Sequence, residues 1–366
     1  MTTDRMRVQY RVTGAGRAIA ARAAALAVEQ SIEMPVAAVR NARVRDEVVG
    51  RVEGILDEGG DVHRVTISLA VETTGGEAGQ LLNMLFGNSS LHPDLRLVDF
   101  DLPDTAAAAF GGPRFGIGGW RAALGIGRRP LTCSALKPQG CEAAELAALA
   151  GQLASAGIDL IKDDHGLADQ ASAPFARRVA AVQRAVDDAN RATGRGCLYA
   201  PALNGGSRRI QEQLGVLRDE GVGAVLVAPM IAGLGTLQEL ASEGRPILAH
   251  PALAGHGAIA APLLLGKLFR LAGADAVIYP HSGGRFGFSA DLCRSIADAA
   301  RGPWCGLAPT LPVPAGGMHP DRVEELVAGY GPDLMLLIGG ALLEADDVRR
   351  AARAFVTRVA ALETDR

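Results

Sequence analysis

Four ionisable residues follow a short, mostly apolar stretch near the middle of the chain. Lys162, Asp163, Asp164 and His165 come directly after residues 158–161, which predict a buried strand. Because buried charges need partners or a metal ion, these four groups cannot all belong to the core. Carboxylate oxygens are the ligands that a hard cation such as Mg²⁺ prefers. The pattern therefore predicts a ligand-binding or Mg²⁺ site where this strand ends.

Three further residues with acid–base chemistry lie at the ends of other predicted strands. Lys137 follows the first strand, His250 ends the fifth and His281 follows the sixth. Lys137 could act as a general base if it is desolvated, and the alternative is a solvated surface lysine. His250 and His281 could orient or protonate a substrate, and a hydrogen-bonded structural histidine is an equal alternative for each. We expect three other histidines, His63, His92 and His256, to be structural.

Two glycine pairs follow the last two predicted strands. They are Gly316-Gly317 and Gly339-Gly340. Glycines expose backbone N–H groups, and in barrels these two loops often hold a phosphate. The alternative is that they only form tight turns. Arg285, after the sixth strand, is a further candidate for substrate binding, with a surface ion pair as its alternative.

A regular alternation of strands and helices must position these residues. The predicted strands cover residues 131–136, 158–162, 197–202, 224–228, 246–250, 276–280, 305–310 and 334–338. Eight strand–helix units in roughly 235 residues predict a (β/α)8 TIM barrel, whose active site lies at the C-terminal ends of its strands. A doubly wound sheet is the competing fold, but it rarely needs eight regular units.

The N-terminal region has a different pattern. Strands are predicted over residues 6–12, 44–56, 63–71 and 95–102, and helices over 18–30 and 76–86. This βαββαβ order predicts a compact, ferredoxin-like α+β domain. The Gly/Pro-rich stretch 110–119 marks its end. We therefore predict an N-terminal α+β domain of residues 1–115 and a catalytic barrel of residues 116–366.

Composition excludes several classes of protein. The chain has 366 residues, is 48% hydrophobic and has a formal net charge of −3, so we expect a globular protein that binds neither nucleic acid nor an anionic membrane. The longest apolar run, residues 258–265, is too short to span a bilayer. The first residues show no apolar signal core, and the five cysteines show no paired spacing. These features favour the cytoplasm.

The combined order of these residues resembles that of the RuBisCO large-chain superfamily over nearly the whole chain. The resemblance runs from Lys137-Pro138 through residues 162–164 to His250, His281 and the two glycine pairs. Residues 27–31 and 86–88 are similar to two further motifs of the family, which include Glu29 and Asn88. The N-terminal α+β domain resembles that of the family as well.

The resemblance implies a chemistry, a cofactor and a partner. Proton abstraction next to a ketone would give an enediolate stabilised by Mg²⁺. Lys162 would bear a CO2-derived carbamate and hold the Mg²⁺ together with Asp164 and His165. The protein would be a homodimer with active sites at the subunit interface, where Glu29 and Asn88 reach into the partner's barrel. The expected catalytic residues are Lys137, Lys162, His250 and His281, and the expected substrate-binding residues are Glu29, Asn88, Arg285, Gly316, Gly317, Gly339 and Gly340.

Five positions depart from the family pattern. His165 replaces an acidic ligand, and because imidazole adds no negative charge we expect weaker Mg²⁺ binding. Gln139 and Ala315 replace a lysine and a serine. Pro251 replaces an arginine that grips a phosphate, and the CO2-steering lysine of carboxylases falls near Phe288 and is missing. The last two losses argue against ribulose-bisphosphate carboxylation and indicate a form IV, RuBisCO-like protein.

Within that group, three segments favour a branch that acts in apiose breakdown. Residues 162–170, 250–253 and 283–286 resemble that branch. We therefore expect a decarboxylase, or a transcarboxylase/hydrolase, of 3-oxo-isoapionate 4-phosphate. One alternative is an enolase of 2,3-diketo-5-methylthiopentyl 1-phosphate or a methylthioribulose-phosphate isomerase of methionine salvage. Another is a non-catalytic binding or regulatory protein, for which the unusual His165 is the reason.

Overall fold

The computed structural model of the chain describes residues 4–255 and 257–362, so His256 lies outside the described residues. An antiparallel sheet forms the N-terminal region, and parallel strands alternating with helices form the rest. This architecture confirms the predicted fold class. The predicted domain boundary between residues 115 and 116 stays a prediction. Throughout the described ranges, every helix is too short or too polar to cross a membrane.

The N-terminal sheet has four strands with helices packed on one face. The strands are β1 (Arg5–Thr13), β2 (Arg51–Gly59), β3 (Val62–Ala70) and β4 (Leu95–Asp101), in the order β2-β3-β1-β4. The helices are α1 (Ile19–Glu29) and α2 (Ala78–Phe86). Every second residue of β1 is buried, namely Met6, Val8, Tyr10 and Val12. This period of two gives the sheet the apolar face on which the helices pack.

The predicted strand over residues 44–56 is wrong at its start. Val44–Val48 forms a π-helical turn, and β2 begins after it. The guanidinium of Arg5 donates hydrogen bonds to the carbonyl oxygens of Glu47 and Val49, at 2.6 and 3.0 Å. These long-range bonds satisfy carbonyl groups that a strand would pair in a ladder, and local alternation could not reveal them.

Eight parallel strand positions form the barrel. They are β5 (Leu131–Leu136), β6 (Leu160–Asp163), β7 (Leu198–Ala200) with β8 (Ala202–Leu203), β9 (Val225–Val227), β10 (Ile247–Ala249), β11 (Ala276–Pro280), β12 (Leu311–Ala315) and β13 (Met335–Leu337). Two hydrogen-bonded sheets, β13-β5-β6-β7 and β12-β11-β10-β9-β8, make up the wall, and β12 packs beside β13. The third position is divided at Pro201, because proline has no N–H to donate to a ladder.

Helices follow the N-terminal sheet and alternate with the strands of this wall. They are α3 (Asp104–Ala107), α4 (Gly116–Leu124), α5 (Ala143–Ala156), α6 (Phe175–Thr193), α7 (Ser207–Asp219), α8 (Pro229–Ala232), α9 (Leu234–Leu240), α10 (Phe269–Leu271) after the π-helical segment Pro262–Leu268, α11 (Ala290–Arg301), α12 (Val323–Tyr330), α13 (Gly340–Leu343) and α14 (Val348–Ala361). In α5, Leu146, Ala150 and Leu153 are buried at helical spacing, as expected for a helix with one apolar face.

The predicted seventh strand, residues 305–310, is wrong. The observed strand is β12, which begins at Leu311, just after the predicted range ends. Cys305 and Gly306 have φ angles of +48° and +66°, which are left-handed conformations that interrupt a strand. β12 itself contains Pro312 and Pro314, which lack the N–H that a central strand normally donates. For that reason the sequence pattern did not favour it as a strand.

A buried carboxylate ties the start of the barrel to its wall. Asp275, just before β11, accepts hydrogen bonds from the backbone N–H groups of Phe115, Gly116 and Ile247, at 2.7, 2.8 and 2.9 Å. Two of these donors lie at the beginning of α4, where helix N–H groups have no partner within the helix. Burial raises the pKa of Asp275 and these bonds oppose the rise. Asp275 thus stabilises the N-terminal ends of the strands. The candidate site residues lie at the opposite, C-terminal ends.

Replacing Asp275 by alanine is expected to lower the free energy of unfolding by about 3 kcal/mol, since three buried N–H groups lose their acceptor. Chemical denaturation checks this value. Asp298→Ala is the matched control, because that carboxylate is exposed on α11 and its loss should cost less than about 0.5 kcal/mol. Equal effects of the two substitutions would contradict the structural role of Asp275.

Candidate active site

Lys162 is buried at the C-terminal end of β6. Its side chain is only 3% exposed, and its Nζ donates a hydrogen bond to the carbonyl oxygen of Asp163 at 2.9 Å. Burial lowers the pKa of Lys162, and the nearby Cys133 and Asp164 offset only part of this effect. A lowered pKa increases the share of neutral amine, which is the form of lysine that reacts with CO2.

Asp163 points away from Lys162 into a buried network of hydrogen bonds. Its carboxylate accepts hydrogen bonds from Arg178 Nε at 3.2 Å, Tyr199 Oη at 2.7 Å and the Ala202 N–H at 3.1 Å. Burial raises the pKa of Asp163, and the charge of Arg178 and the hydrogen bond from Tyr199 oppose the rise. Because alternate residues of a strand face opposite sides, this network fixes the other face of β6.

Asp164 lies on the same side of the chain as Lys162 and meets two further candidates. Its Oδ1 is 2.9 Å from Lys137 Nζ and 3.5 Å from His165 Nδ1. Burial disfavours its charged form, but the hydrogen bond from Lys137 and the charge of Lys162 outweigh burial and hold the pKa of Asp164 below its usual range. The structure therefore brings Lys137, Lys162, Asp164 and His165 together, with an ionised carboxylate among them.

His250 and His165 stack on each other. Their ring centroids are 4.1 Å apart and their planes differ by 12°. His250 Nδ1 accepts a hydrogen bond from the Ala252 N–H at 3.2 Å, so its proton sits on Nε2. Burial, reinforced by the charge of Lys162, lowers the pKa of His250 to about 2. His250 is therefore a neutral hydrogen-bond donor at its free nitrogen.

His281 is buried at the end of β11 with unused hydrogen-bonding groups. Its side chain is 3% exposed, and within the described part of the chain neither ring nitrogen has a hydrogen-bond partner. Burial, with a contribution from the charge of Arg322, lowers its pKa to about 4. Buried polar atoms are normally paired, so His281 suits contact with a polar ligand.

The glycine pair after β12 is held against the loop after β11. The backbone N–H of Arg285 donates to the Gly316 carbonyl at 3.1 Å. Gly316 and Gly317 have φ angles of +89° and +90°, and a Cβ atom on Gly316 would approach the Phe286 ring to 2.9 Å. The Arg285 guanidinium lies 5.0 Å from the centre of the same ring. The left-handed conformation therefore favours glycine at position 316, and a larger residue there would displace the Phe286 ring.

The remaining candidates occupy two other places. Gly339 and Gly340 follow β13 and begin the short helix α13. Asn88 Nδ2 donates to Glu29 Oε1 at 3.2 Å and to Glu33 Oε1 at 2.8 Å. This polar group lies in the N-terminal region, with Asn88 exposed and Glu29 half-buried.

Sequence reasoning did not predict the roles of Arg178 and Tyr199. Both side chains are fully buried and bond to Asp163, yet they come from α6 and β7, far along the chain. An arginine that falls on the apolar face of an amphipathic helix was the one available signal.

Comparison with known proteins places the chain in a family. The family profile described as “Ribulose bisphosphate carboxylase large chain, catalytic domain” matches residues 116–361. The chain belongs to the RuBisCO large-chain family. This confirms the predicted membership of the superfamily.

Individual members of the RuBisCO family resemble the chain along almost its full length. “Ribulose bisphosphate carboxylase-like protein 1” of Rhodopseudomonas palustris is 54% identical over 98% of both chains. The “5-methylthioribulose-1-phosphate isomerase” of Rhodospirillum rubrum is 53% identical over 98% of this chain and 97% of its own. A “2,3-diketo-5-methylthiopentyl-1-phosphate enolase” of Geobacillus thermodenitrificans is 35% identical over 76% of this chain and 70% of its own. A crystal structure of a Rubisco-like protein from Rhodopseudomonas palustris has a TM-score of 0.91 at 48% identity, covering 100% of this chain and 99% of that one.

These RuBisCO relatives overturn the expected apiose-pathway activity. Two of them are named for methylthio sugar phosphates, and their likeness extends over most of the chain. The expectation of a decarboxylase or transcarboxylase rested on three short segments, 162–170, 250–253 and 283–286, which lie at and beyond strand ends. Such loops vary in shape and sequence among proteins of one fold, so they are a poor guide to the substrate.

Proteins of the RuBisCO family use a divalent cation. The residues of this chain fit such an ion only if Lys162 is carbamylated. Among the described residues, no three His, Cys, Asp or Glu side chains are arranged to hold a metal ion. Asp163 is already bonded to three donors, so Asp164 and His165 remain. Lys162 is the available third donor, and it offers an oxygen ligand only when its amine is carbamylated. The donor set fits the ion in that form.

Replacing Arg178 by methionine is expected to lower the free energy of unfolding by about 3 to 5 kcal/mol, because it leaves the buried Asp163 charge uncompensated. Chemical denaturation of the variant provides the measurement. Arg184→Met on the same helix is the matched control, since Arg184 is exposed and its loss should change stability by less than about 0.5 kcal/mol. A loss for Arg178→Met no larger than that of the control would show that the network is dispensable.

Proposed function

We propose that this protein is an isomerase of a methylthio-ketopentose phosphate, with 5-methylthioribulose 1-phosphate as the expected substrate. The main support is the 53% identity, over 98% of the chain, to a protein named for that activity. A RuBisCO-like enolase of 2,3-diketo-5-methylthiopentyl 1-phosphate is the second candidate, supported by a more distant relative. Both reactions remove a proton from a carbon next to a ketone, and such a reaction needs a base and stabilisation of the resulting negative charge.

Lys137 is the base that transfers the proton in this proposal. Its Nζ is hydrogen-bonded to Asp164 at 2.9 Å, and its side chain is 36% exposed at the open end of the barrel. Lys137 therefore lies between the buried residues Lys162 and Asp164 and the solvent-exposed end of the barrel, where a substrate would bind. The neighbouring carboxylate orients the amine and stabilises it once it has accepted the proton.

Two histidines hold the polar groups of the sugar. His250 donates from Nε2 toward a ketone or hydroxyl oxygen, because its Nδ1 already accepts the Ala252 N–H. His281 offers two ring nitrogens to substrate hydroxyls, and a hydrogen bond there would satisfy a buried group. Their rings have lowered pKa values, so both act as neutral hydrogen-bonding groups near neutral pH.

In this proposal Lys162, once carbamylated, would hold a divalent cation together with Asp164 and His165, and Mg²⁺ is the ion of the family. When bound, such an ion polarises the ketone and stabilises negative charge beside it. Lys162 contributes by being buried, since burial lowers its pKa and favours the neutral amine from which a carbamate forms. Asp163 contributes by fixing the strand between the two inward-facing ligands.

Groups at the open end of the barrel suit a phosphorylated substrate with an apolar tail. The glycine pairs Gly316-Gly317 and Gly339-Gly340 provide backbone N–H groups for the phosphate. Arg285 stacks on Phe286, which packs against Gly316, and adds positive charge next to that pair. The loop after β10 presents the exposed apolar side chain of Leu253, which suits the methylthio end of such a substrate.

A direct assay tests this function. The protein is incubated with 5-methylthioribulose 1-phosphate in D2O containing Mg²⁺ and bicarbonate, and NMR follows the products. We expect an isomeric ketopentose phosphate, with deuterium at carbons that exchange a proton. Turnover of 2,3-diketo-5-methylthiopentyl 1-phosphate instead would favour the enolase. Lack of turnover of both compounds would contradict the proposal.

Lys137→Met is expected to lower kcat by about 10²- to 10⁴-fold, the usual contribution of a general acid–base group. Steady-state kinetics with the preferred compound of that assay give the value. Exposed Arg184→Met provides a control for the loss of a positive side chain and should leave kcat unchanged. A Lys137→Met enzyme with near wild-type kcat would remove Lys137 from the proposed mechanism.

The proposal includes a homodimer whose two chains share each site. Glu29 and Asn88 form a polar pair away from the barrel cluster, and in the family these positions reach the partner's barrel. Co-expression of Glu29→Ala and Lys137→Met chains with different tags yields mixed dimers after tandem purification. Each mixed dimer has one intact site, so about half of wild-type activity is expected, whereas each variant alone is nearly inactive. Mixed dimers as inactive as the parents would show that the sites are not shared.

A further inference from the structure

We propose that the ion site of this chain selects a late first-row divalent ion, such as Co²⁺, more strongly than an all-oxygen site of the family would. The proposal rests on the proposed function in one respect, namely that a cation is used at Lys162, Asp164 and His165. The proposal concerns the third donor, His165. Its imidazole nitrogen stands where the family pattern has an acidic oxygen ligand.

The distance between the two unmodified donors suits one shared ion. His165 Nδ1 lies 3.5 Å from Asp164 Oδ1. Two ligand atoms that each lie about 2.1 Å from a common ion are about 3 to 4 Å apart. Asp164 and His165 are also neighbours in the chain, so both donors come from one short segment.

The His165 ring is held in a defined orientation. It stacks on His250 at 4.1 Å between centroids, and His250 is itself fixed by the hydrogen bond from Ala252. The His165 side chain remains 43% exposed, so an ion can approach it from solvent. A ligand that is oriented in advance and accessible binds metal with less loss of entropy.

Nearby carboxylates do not replace the missing acidic ligand. The Asp163 carboxylate accepts bonds from Arg178, Tyr199 and the Ala202 N–H. The donor set is therefore two anionic oxygens, from Asp164 and carbamylated Lys162, and one neutral nitrogen. Mg²⁺ prefers oxygen donors, whereas imidazole suits later first-row ions. The site has lost negative charge that Mg²⁺ needs and gained a donor that Co²⁺ favours.

The test compares Co²⁺ and Mg²⁺ binding by calorimetry, without substrate and in bicarbonate buffer. We expect His165→Glu to raise Mg²⁺ affinity and to lower the ratio of Co²⁺ to Mg²⁺ affinity by at least about tenfold. His92→Glu is the matched control, because that histidine is exposed outside the barrel and the ratio should not change. An unchanged ratio in His165→Glu, or absence of ion binding by the wild-type protein, would overturn the proposal.

X-ray absorption of the Co²⁺-loaded wild-type protein provides a second measurement that needs no stable variant. Scattering from an imidazole ring bound to Co²⁺ is expected, and a spectrum with oxygen ligands alone would overturn the proposal. Neither measurement includes substrate. An unchanged affinity ratio or a spectrum with oxygen ligands alone therefore leaves the isomerase proposal standing, and lack of turnover in the isomerase assay leaves the ion preference standing.

Discussion

The burial of Lys162 at the end of β6 is the constraint on which the site depends. An ammonium group removed from water costs several kcal/mol unless it is compensated. Here its Nζ donates a hydrogen bond to the Asp163 carbonyl oxygen, and the Asp164 carboxylate is shared with Lys137. The pKa of Lys162 is lowered as a result. The protein thereby holds an amine with a lowered pKa beside the ionised carboxylate of Asp164.

The alternation of side chains along β6 places the buried Lys162 on the same side as Asp164 and separates both from Asp163. Lys162 and Asp164 face one side of the strand, and Asp163 faces the other, where Arg178 and Tyr199 bond to it. A register slip of one residue would exchange the two faces and place Asp163 in the site. The network around Asp163 makes such a slip costly, because the slip would leave a buried arginine without its carboxylate.

Much of the fold could be predicted from the sequence, because the fold depends on the local spacing of apolar residues and on the order of strands and helices along the chain. The alternating units predicted a barrel, and strand ends placed Lys137, Asp164, His250 and His281. The failures arose where distant residues decide the structure. Arg5 bonds the carbonyls at Glu47 and Val49, and the left-handed residues 305–306 delay the seventh strand. Such contacts leave no periodic signal.

The substrate could not be predicted for a different physical reason. The motifs at strand ends predict an ion, a base and a phosphate site, and these features belong to the resemblance to the RuBisCO family as a whole rather than to one substrate. Substrate differences among proteins of one fold commonly reside in loops, and few local rules govern loop sequences. Similarity to relatives over most of the chain, rather than the motifs, indicated the class of substrate. It replaced the apiose-pathway expectation with methionine-salvage candidates.

A carbon NMR spectrum of the protein in 13C-labelled bicarbonate tests most directly whether Lys162 completes the ion site. A carbamate resonance is predicted for the wild-type protein in the presence of a divalent cation. The resonance should be absent from Lys162→Met, in which the amine is removed but the length and apolar character of the side chain are kept. Identical spectra of the two proteins would contradict a carbamate at Lys162 and with it the proposed ion site.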